Sequence, residues 1–257
     1  MSTLGLSVRQ ARYEMRAFWR NPAAAFFTFI FPLMFLFIFN SVFGDGDIPV
    51  PGGTVDTSTF YVPAIMAFSV ISATYTNISM TVVYARDEGL LKRVRGTPLP
   101  PLAYFIGRIL QAIGVTLILV VIVISAGIVL YGAELEPEKV PWLIVTLIVG
   151  SACFCALGLA ITGFVPNADA APAVINASIL PLLFISNVFI PTQDAPAWIN
   201  HVASVFPVSH FANSLIAAFN PFESGSGFDL VSLAVMAAWG VLGTVIAVRY
   251  FTWEPRK

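Results

Sequence analysis

The chain alternates long apolar runs with short polar breaks, and the runs have the length of membrane spans. A bilayer core takes roughly 20 helical residues to cross. Six stretches reach that length, at 24–43, 62–84, 102–131, 140–164, 171–190 and 230–251. The third is overlong, so its start, including Arg108, is expected to project from the membrane or snorkel to its edge. Ahead of the first span, residues 4–20 keep a helical period: Leu4, Val8, Ala11, Met15 and Phe18 or Trp19 recur at three and four. Arg9, Arg12, Arg16 and Arg20 form a stripe on the flank of that face. Such a helix lies in the interface with its arginines reaching the anionic headgroups. Asn21-Pro22 then breaks it. An elbow bracing the first span and a simple topology anchor both fit.

The second break, 86–101, is the most charged stretch in the chain. Asp87 and Glu88 come first, and Lys92, Arg93 and Arg95 last, an order that suits the macrodipole of a short helix. Glu88 and Lys92 stand four apart, the spacing of a helical ion pair. Leu90, Leu91 and Val94 would form one apolar face, and Gly96 with Pro98, Pro100 and Pro101 would stop the helix. A short amphipathic helix held just outside the membrane reads as a docking piece. The same basic residues also read as the topology signal of a cytoplasmic loop. The last break, 191–228, is apolar for a loop. Trp198, Val202 and Phe206 repeat at helical spacing, and a second helical run, 208–219, follows Pro207. Two short helices of this kind would lie on the outer leaflet or dip back into it. His201 and His210 sit in them without a carboxylate or cysteine at ligand spacing, and read as interfacial.

Composition confirms the class. Of 257 residues 58% are hydrophobic and only 11% charged, with a mean hydropathy of +0.85, against about 25% charge in soluble chains. The formal charge of −1 hides a sorting by side. Arg9, Arg12, Arg16, Arg20, Arg86, Lys92, Arg93, Arg95, Arg108, Arg249, Arg256 and Lys257 fall on one side and only Lys139 on the other. The positive-inside rule therefore puts both termini and 86–101 in the cytoplasm. Asp45, Asp47, Asp56, Glu134, Glu136, Glu138, Asp194, Glu223 and Asp229 fall outside, as a solvated surface or a cation site. Cys153 and Cys155 are two apart on a helix, about 200° around it, so neither a mutual disulfide nor a shared metal is expected. No cleavable signal peptide is expected at the arginine-rich N-terminus. Ala152, Ala156 and Ala160, with Gly158 beside them, allow close helix approach, within the chain or to a second copy.

Span two is unusually polar: Ser72, Thr74, Thr76, Asn77, Ser79 and Thr81 all lie in it. Such groups avoid lipid and serve either a conduit or helix-to-helix hydrogen bonds. No ionisable residue sits mid-membrane in any span, which argues against an ion-coupled carrier and favours an amphipathic or lipid-like solute. A phosphate-binding Gly-x-x-x-x-Gly-Lys-Ser/Thr loop is missing as well, since Lys92, Lys139 and Lys257 do not follow a glycine. This chain is therefore expected not to hydrolyse ATP.

Asp-Glu-Gly-Leu-Leu-Lys-Arg-Val-Arg-Gly-Thr-Pro-Leu (87–99) followed by Gly107-Arg108 resembles the signature of type-2 ABC exporter permeases. Asn21-Pro22 with Phe31-Pro32-Leu33 resembles that family's approach to its first span. Phe189-Ile190-Pro191, Pro196-Ala197-Trp198-Ile199 and Phe206-Pro207-Val208 resemble its outer re-entrant region. The likeness runs in order along the whole chain, and the short loop after span one is that of the small drug- and glycan-exporting branch.

The resemblance implies an all-α polytopic permease: six spans, an N-terminal elbow helix, a cytoplasmic coupling helix and outer re-entrant helices before the last span. It implies ABC ATPase subunits as partners, with ATP and Mg on them and no cofactor on this chain, a second permease copy or a relative, and a bacterial plasma membrane. Nucleic acid is not among the partners. The coupling residues it implies are Arg86, Asp87, Glu88, Gly89, Leu90, Leu91, Lys92, Arg93, Arg95, Thr97 and Pro98. The family's spans two and five face the central cavity, so Ser72, Thr76, Asn77, Ser79, Ser186 and Asn187 become the expected substrate pathway. A membrane scaffold that docks a partner and moves nothing is the rival reading, with an ion-coupled secondary transporter behind it. Glu88→Lys combined with Leu91→Asp is expected to leave the fold intact and end transport.

Overall fold

The computed structural model describes residues 3–43, 46–50, 52–97, 99–191, 195–223 and 229–254. Pro98, Asp45, Asp194, Arg256 and Lys257, all named above, lie outside them. The protein is built from helices: α1 (Thr3–Trp19), α2 (Pro22–Phe43), α3 (Thr57–Ile71), α4 (Asn77–Asp87), α5 (Leu90–Arg95), α6 (Pro101–Tyr131), α7 (Val140–Thr162), α8 (Ala171–Phe184), α9 (Ala197–Ala203), α10 (Pro207–Phe219) and α11 (Leu230–Tyr250). The loop after α2 holds one small hairpin, β1 (Asp47–Val50) paired antiparallel with β2 (Gly53–Asp56). The alternation of Ile48, Val50 and Val55 accounts for it, since these three bury against Phe60, Tyr61 and Ile216.

Five helices among the described residues are long and apolar enough to cross a membrane: Pro22–Phe43, Thr57–Asp87, Leu102–Tyr131, Pro137–Thr162 and Leu230–Tyr250. The second is one helix, in which α3 and α4 are joined by a π-helical turn, Ser72–Thr76. Asn77 N–H donates to the Ser72 carbonyl, five residues back. Hydroxyls of Ser69, Thr74 and Ser79 all donate to the carbonyl four residues back. This competition with the backbone ladder loosens helices and accompanies the bulge, which is often a mark of function.

Span five is shorter than its apolar run. Helix α8 ends at Phe184, and 14 residues of helix reach only about 21 Å. Pro181 inside the helix removes a backbone donor, and Asn187 takes a left-handed conformation at φ 59°, which asparagine tolerates better than most residues. Ser186 and Asn187 therefore lie in a turn beyond the helix. Next, α9 and α10 meet at a bend of 100°, the pair of short helices expected in the outer region. Pro207, at the first position of α10, fixes the corner.

The core gathers around α3, buried on all sides from Phe60 to Ile71 except at Phe68. Helix α7 is its other axis. A Cβ at Gly158 would lie 2.8 Å from the Tyr75 carbonyl, so only glycine lets the π turn approach α7 this closely. On the other flank of α7, Gly240 and Gly243 of α11 pack against Cys153 and Ala156. Ala156, Gly158 and Ala160 thus serve internal packing while Ala152 is exposed, and the two cysteines point to different neighbours.

Candidate functional site

The charged break between the second and third spans begins where α4 ends. Glu88 caps α4, and Gly89 turns the chain with φ 73°, a conformation open to glycine at little cost. Six residues of α5 follow, Gly96 ends it, and Thr97 closes the turn by donating its hydroxyl to the Val94 carbonyl at 2.7 Å. Pro100 and Pro101 start α6. The structure corrects the expected helix in two respects. Glu88 and Lys92 do not share a helix, because the left-handed Gly89 intervenes. The apolar residues do not form one outward strip either. Leu91 is fully buried, against Ile78, Val82, Ala85, Tyr104, Cys155 and Leu159, and Val94 packs on the same cluster. Leu90 points out at 43% exposure, beside exposed Glu88, Lys92, Arg93, Arg95 and Thr97. An i, i+1 pair is split by about 100° on a helix, and the body takes Leu91. The available surface is one leucine ringed by charges.

Arg86 and Asp87 take a different part. Arg86 is 2% exposed and donates to the carbonyls of Thr162 at 3.0 Å, Val165 at 2.9 Å and Pro166 at 3.3 Å. Its Nε stands 3.2 Å from Asp87 Oδ1, and Asp87 Oδ2 accepts the Ala168 N–H. The guanidinium fork meets the orphan carbonyls at the C-terminal end of α7, where a cation is favoured. The pair pins the start of α5 to the connection between α7 and α8. Arg86 is thus engaged inside the chain and Asp87 is only partly exposed, so the pair fixes where α5 begins.

The elbow helix is fixed to the same region. Gln10 Nε2 donates to Glu14 at 2.9 Å, and Glu14 pairs with Arg108 Nε at 3.4 Å. Arg108 Nη1 donates to Thr81 at 2.8 Å and its guanidinium lies 5.3 Å from the Tyr104 ring. Gly107 leaves room for Gln10 and Ser7. Gln10, Glu14 and Thr81 escaped the sequence reading as a network. Glu14 lies four before the apolar Phe18, and that spacing on the face away from the arginines was the available signal.

The expected pathway residues divide. Ser72 and Thr76 are half-buried, in a row with Phe68 and Met80 at steps of four, along the one side of Thr57–Asp87 that its neighbours leave open; Asn77 beside them is exposed. Ser79 is not in that row: it is buried and also donates to the Gly158 carbonyl at 2.8 Å, a bond between helices. Ser186 is buried with its hydroxyl unpartnered, and Asn187 donates to Asn213 Oδ1 of α10 at 2.8 Å. The rings of Phe68, four before Ser72, and Phe189, two after Asn187, meet at 5.2 Å. Phe35 and Phe184 also meet the Phe189 ring, tilted, at 6.4 and 5.1 Å. This aromatic lining and Asn213 were missed, since apolar rings in an apolar run carry no signal. Among the described residues no group of three or more His, Cys, Asp or Glu could hold a metal.

A body of apolar helices carrying a braced, charge-ringed helix at one end has the make-up of a membrane transport subunit. The model of the family described as ABC-2 type transporter matches residues 10–220, and the chain belongs to that family. It is 24% identical over 240 residues to a protein of Porphyra purpurea described as a transport permease, ycf38, covering 91% of this chain and 79% of that one. It is 25% identical over 235 residues to the daunorubicin resistance ABC transporter permease protein DrrB1 of Streptomyces coeruleorubidus, covering 89% and 78%. With YbhR of Escherichia coli K12, described as a multidrug ABC transporter permease, it shares 22% identity over 159 residues, 62% of this chain and 43% of that one. The protein is thus a multi-pass transport permease subunit, itself non-enzymatic, of the kind that works with an ATPase partner.

Proposed function

We propose that this chain exports an amphipathic, drug-like, lipid-like or glycan solute, driven by separate ABC ATPase subunits that bind ATP and Mg and dock on α5. One observation carries the reading. Arg86 and Asp87 tie α5 to the α7–α8 connection while Leu91 roots it in the core. A push on Leu90, Lys92, Arg93 and Arg95 then moves several helices together, as rigid-body alternating access requires. Two copies, or this chain and a relative, would bring Ser72, Thr76, Asn77 and Asn187 together around a conduit, with the phenylalanines taking the apolar part of the solute. Both termini face the cytoplasm of a bacterial inner membrane in this reading, on the distribution of basic residues.

The test is reconstitution of the permease with its ATPase in vesicles loaded with an amphipathic dye. ATP-dependent transport lost in Leu90→Asp, with the protein still folded and inserted, supports the reading. ATPase binding without any ATP-dependent movement of a range of dyes, lipids and glycans would favour the scaffold instead.

A further inference from the structure

Helix α1 has three faces. At 100° per residue, Ser7, Gln10, Glu14 and Phe18 fall on the side packed against α6, and Leu4, Val8, Met15 and Trp19 on a second. Arg9, Arg12 and Arg16 lie within about 60° of one another on the third. All three arginines are exposed, and none has an acidic partner among the described residues; Glu14, the acid of α1, is engaged by Arg108 on the far side. They do not simply project into open space. Together with Tyr13 they form one wall of a 640 Å³ groove, and Thr97 and Leu99, just past α5, form the other. At Tyr13 and Arg16 the groove adjoins a mostly apolar hollow along the end of α1, lined by Met15, Ala17 and Trp19 with Arg20 at its edge.

We propose that this groove binds an anionic phospholipid, with its phosphate on Arg9, Arg12 and Arg16 and an acyl chain lying in the Met15–Trp19 hollow. Three unpaired guanidinium groups select the anion, since arginine forks match phosphate oxygens. The adjoining apolar hollow selects a lipid over an acidic peptide, which has no chain to put there. Thr97 and Leu99 belong to the segment that follows the docking helix, so an occupied groove joins the elbow to the coupling region. Lipid composition would then tune how firmly α5 is held.

The full-length permease in mild detergent is titrated with fluorescent phosphatidylglycerol, and unlabelled phosphatidylglycerol, phosphatidylcholine, glycerol phosphate and polyglutamate are run as competitors. Phosphatidylglycerol is expected to compete at least tenfold better than phosphatidylcholine, and glycerol phosphate hardly at all. Arg9→Gln, Arg12→Gln and Arg16→Gln together should erase that preference, Arg12→Gln alone should weaken it about fivefold, and Arg249→Gln on α11 should keep it. Equal competition by the two lipids, or a triple variant that retains the preference, overturns the proposal. So does glycerol phosphate competing as well as the lipid, which would leave a simple anion site. Displacement chiefly by polyglutamate would assign the groove to an acidic protein segment and overturn it too.

Discussion

Leu90 and Leu91 are neighbours in the chain and face opposite ways, one 43% exposed and the other fully buried under α4, α6 and α7. The difference separates docking from folding. Leu91→Ala should lower stability by about 2–5 kcal/mol, the usual cost of emptying a packed leucine site. Leu90→Ala should stay within about 0.5 kcal/mol, as surface changes do. Thermal unfolding in detergent measures both. The combination Glu88→Lys with Leu91→Asp therefore cannot serve as a clean docking variant, because the aspartate would enter an apolar cluster. Leu90→Asp with Arg93→Glu replaces it, and should leave insertion and melting unchanged while abolishing ATP-driven transport.

Arg86 tests the brace. Arg86→Ala removes the donor to three carbonyls and the ion-pair partner of Asp87, which keeps only the Ala168 N–H, a loss on the order of 3–5 kcal/mol for a buried charged group. Arg86→Lys should recover only part of this, since one ammonium cannot span carbonyls on Thr162, Val165 and Pro166 as a planar fork does. Hydrogen exchange is the discriminating measurement. It should accelerate in 163–170 in both variants, and the α11 amides should keep their protection.

These two cases show what the chain's pattern could and could not convey. Apolar length and the distribution of charge placed α2, α6, α7 and α11 to within two residues, because a long uniform run has a single solution in a membrane. The π turn left no such trace: Ser72–Thr76 reads as five more helical residues. The end of α8 at Phe184 was also hidden, since 185–190 stays apolar while Asn187 turns the backbone. In the charged segment 86–97 the residue types were legible and their directions were not. Arg86 has the same charge as Arg93, and only the nearby carbonyl ends of α7 make it a buried brace.

Lys139, the one basic residue expected on the outer side, is 1% exposed and donates to the Asn220 carbonyl at 2.8 Å, with Glu136 at 3.3 Å. It joins the start of α7 to the end of α10. Lys139→Met should keep the packing of the stem but lose the charged hydrogen bond between the two elements, worth about 1.5–3 kcal/mol. An unchanged melting temperature in Lys139→Met would show that this bond adds nothing to stability.

Asp229 supplies the pH dependence. It sits just before α11, accepts the Val231 N–H at 2.9 Å and the Ser232 hydroxyl at 2.5 Å, and Ser232 in turn contacts His210 Nδ1 at 2.9 Å. The Ser232 bond, first, holds its carboxyl below the ordinary range, with the backbone N–H groups of Val231 and Ser232 and nearby His210 adding to it; partial burial works the other way. A carboxyl whose folded pKa is depressed contributes stability that is present above its unfolded pKa of about 3.9 and lost as pH falls through the folded value. The melting temperature should therefore carry no contribution from this group's titration between pH 5 and 8, and should fall below about pH 4. Asp229→Asn keeps an acceptor for the helix start but cannot titrate, so it should show a smaller acid-side drop than the wild type. Asp229→Ala should lose about 0.5–2 kcal/mol at neutral pH. An Asp229→Asn curve that superimposes on the wild type down to pH 3 would mean that another carboxylate controls the acid limb.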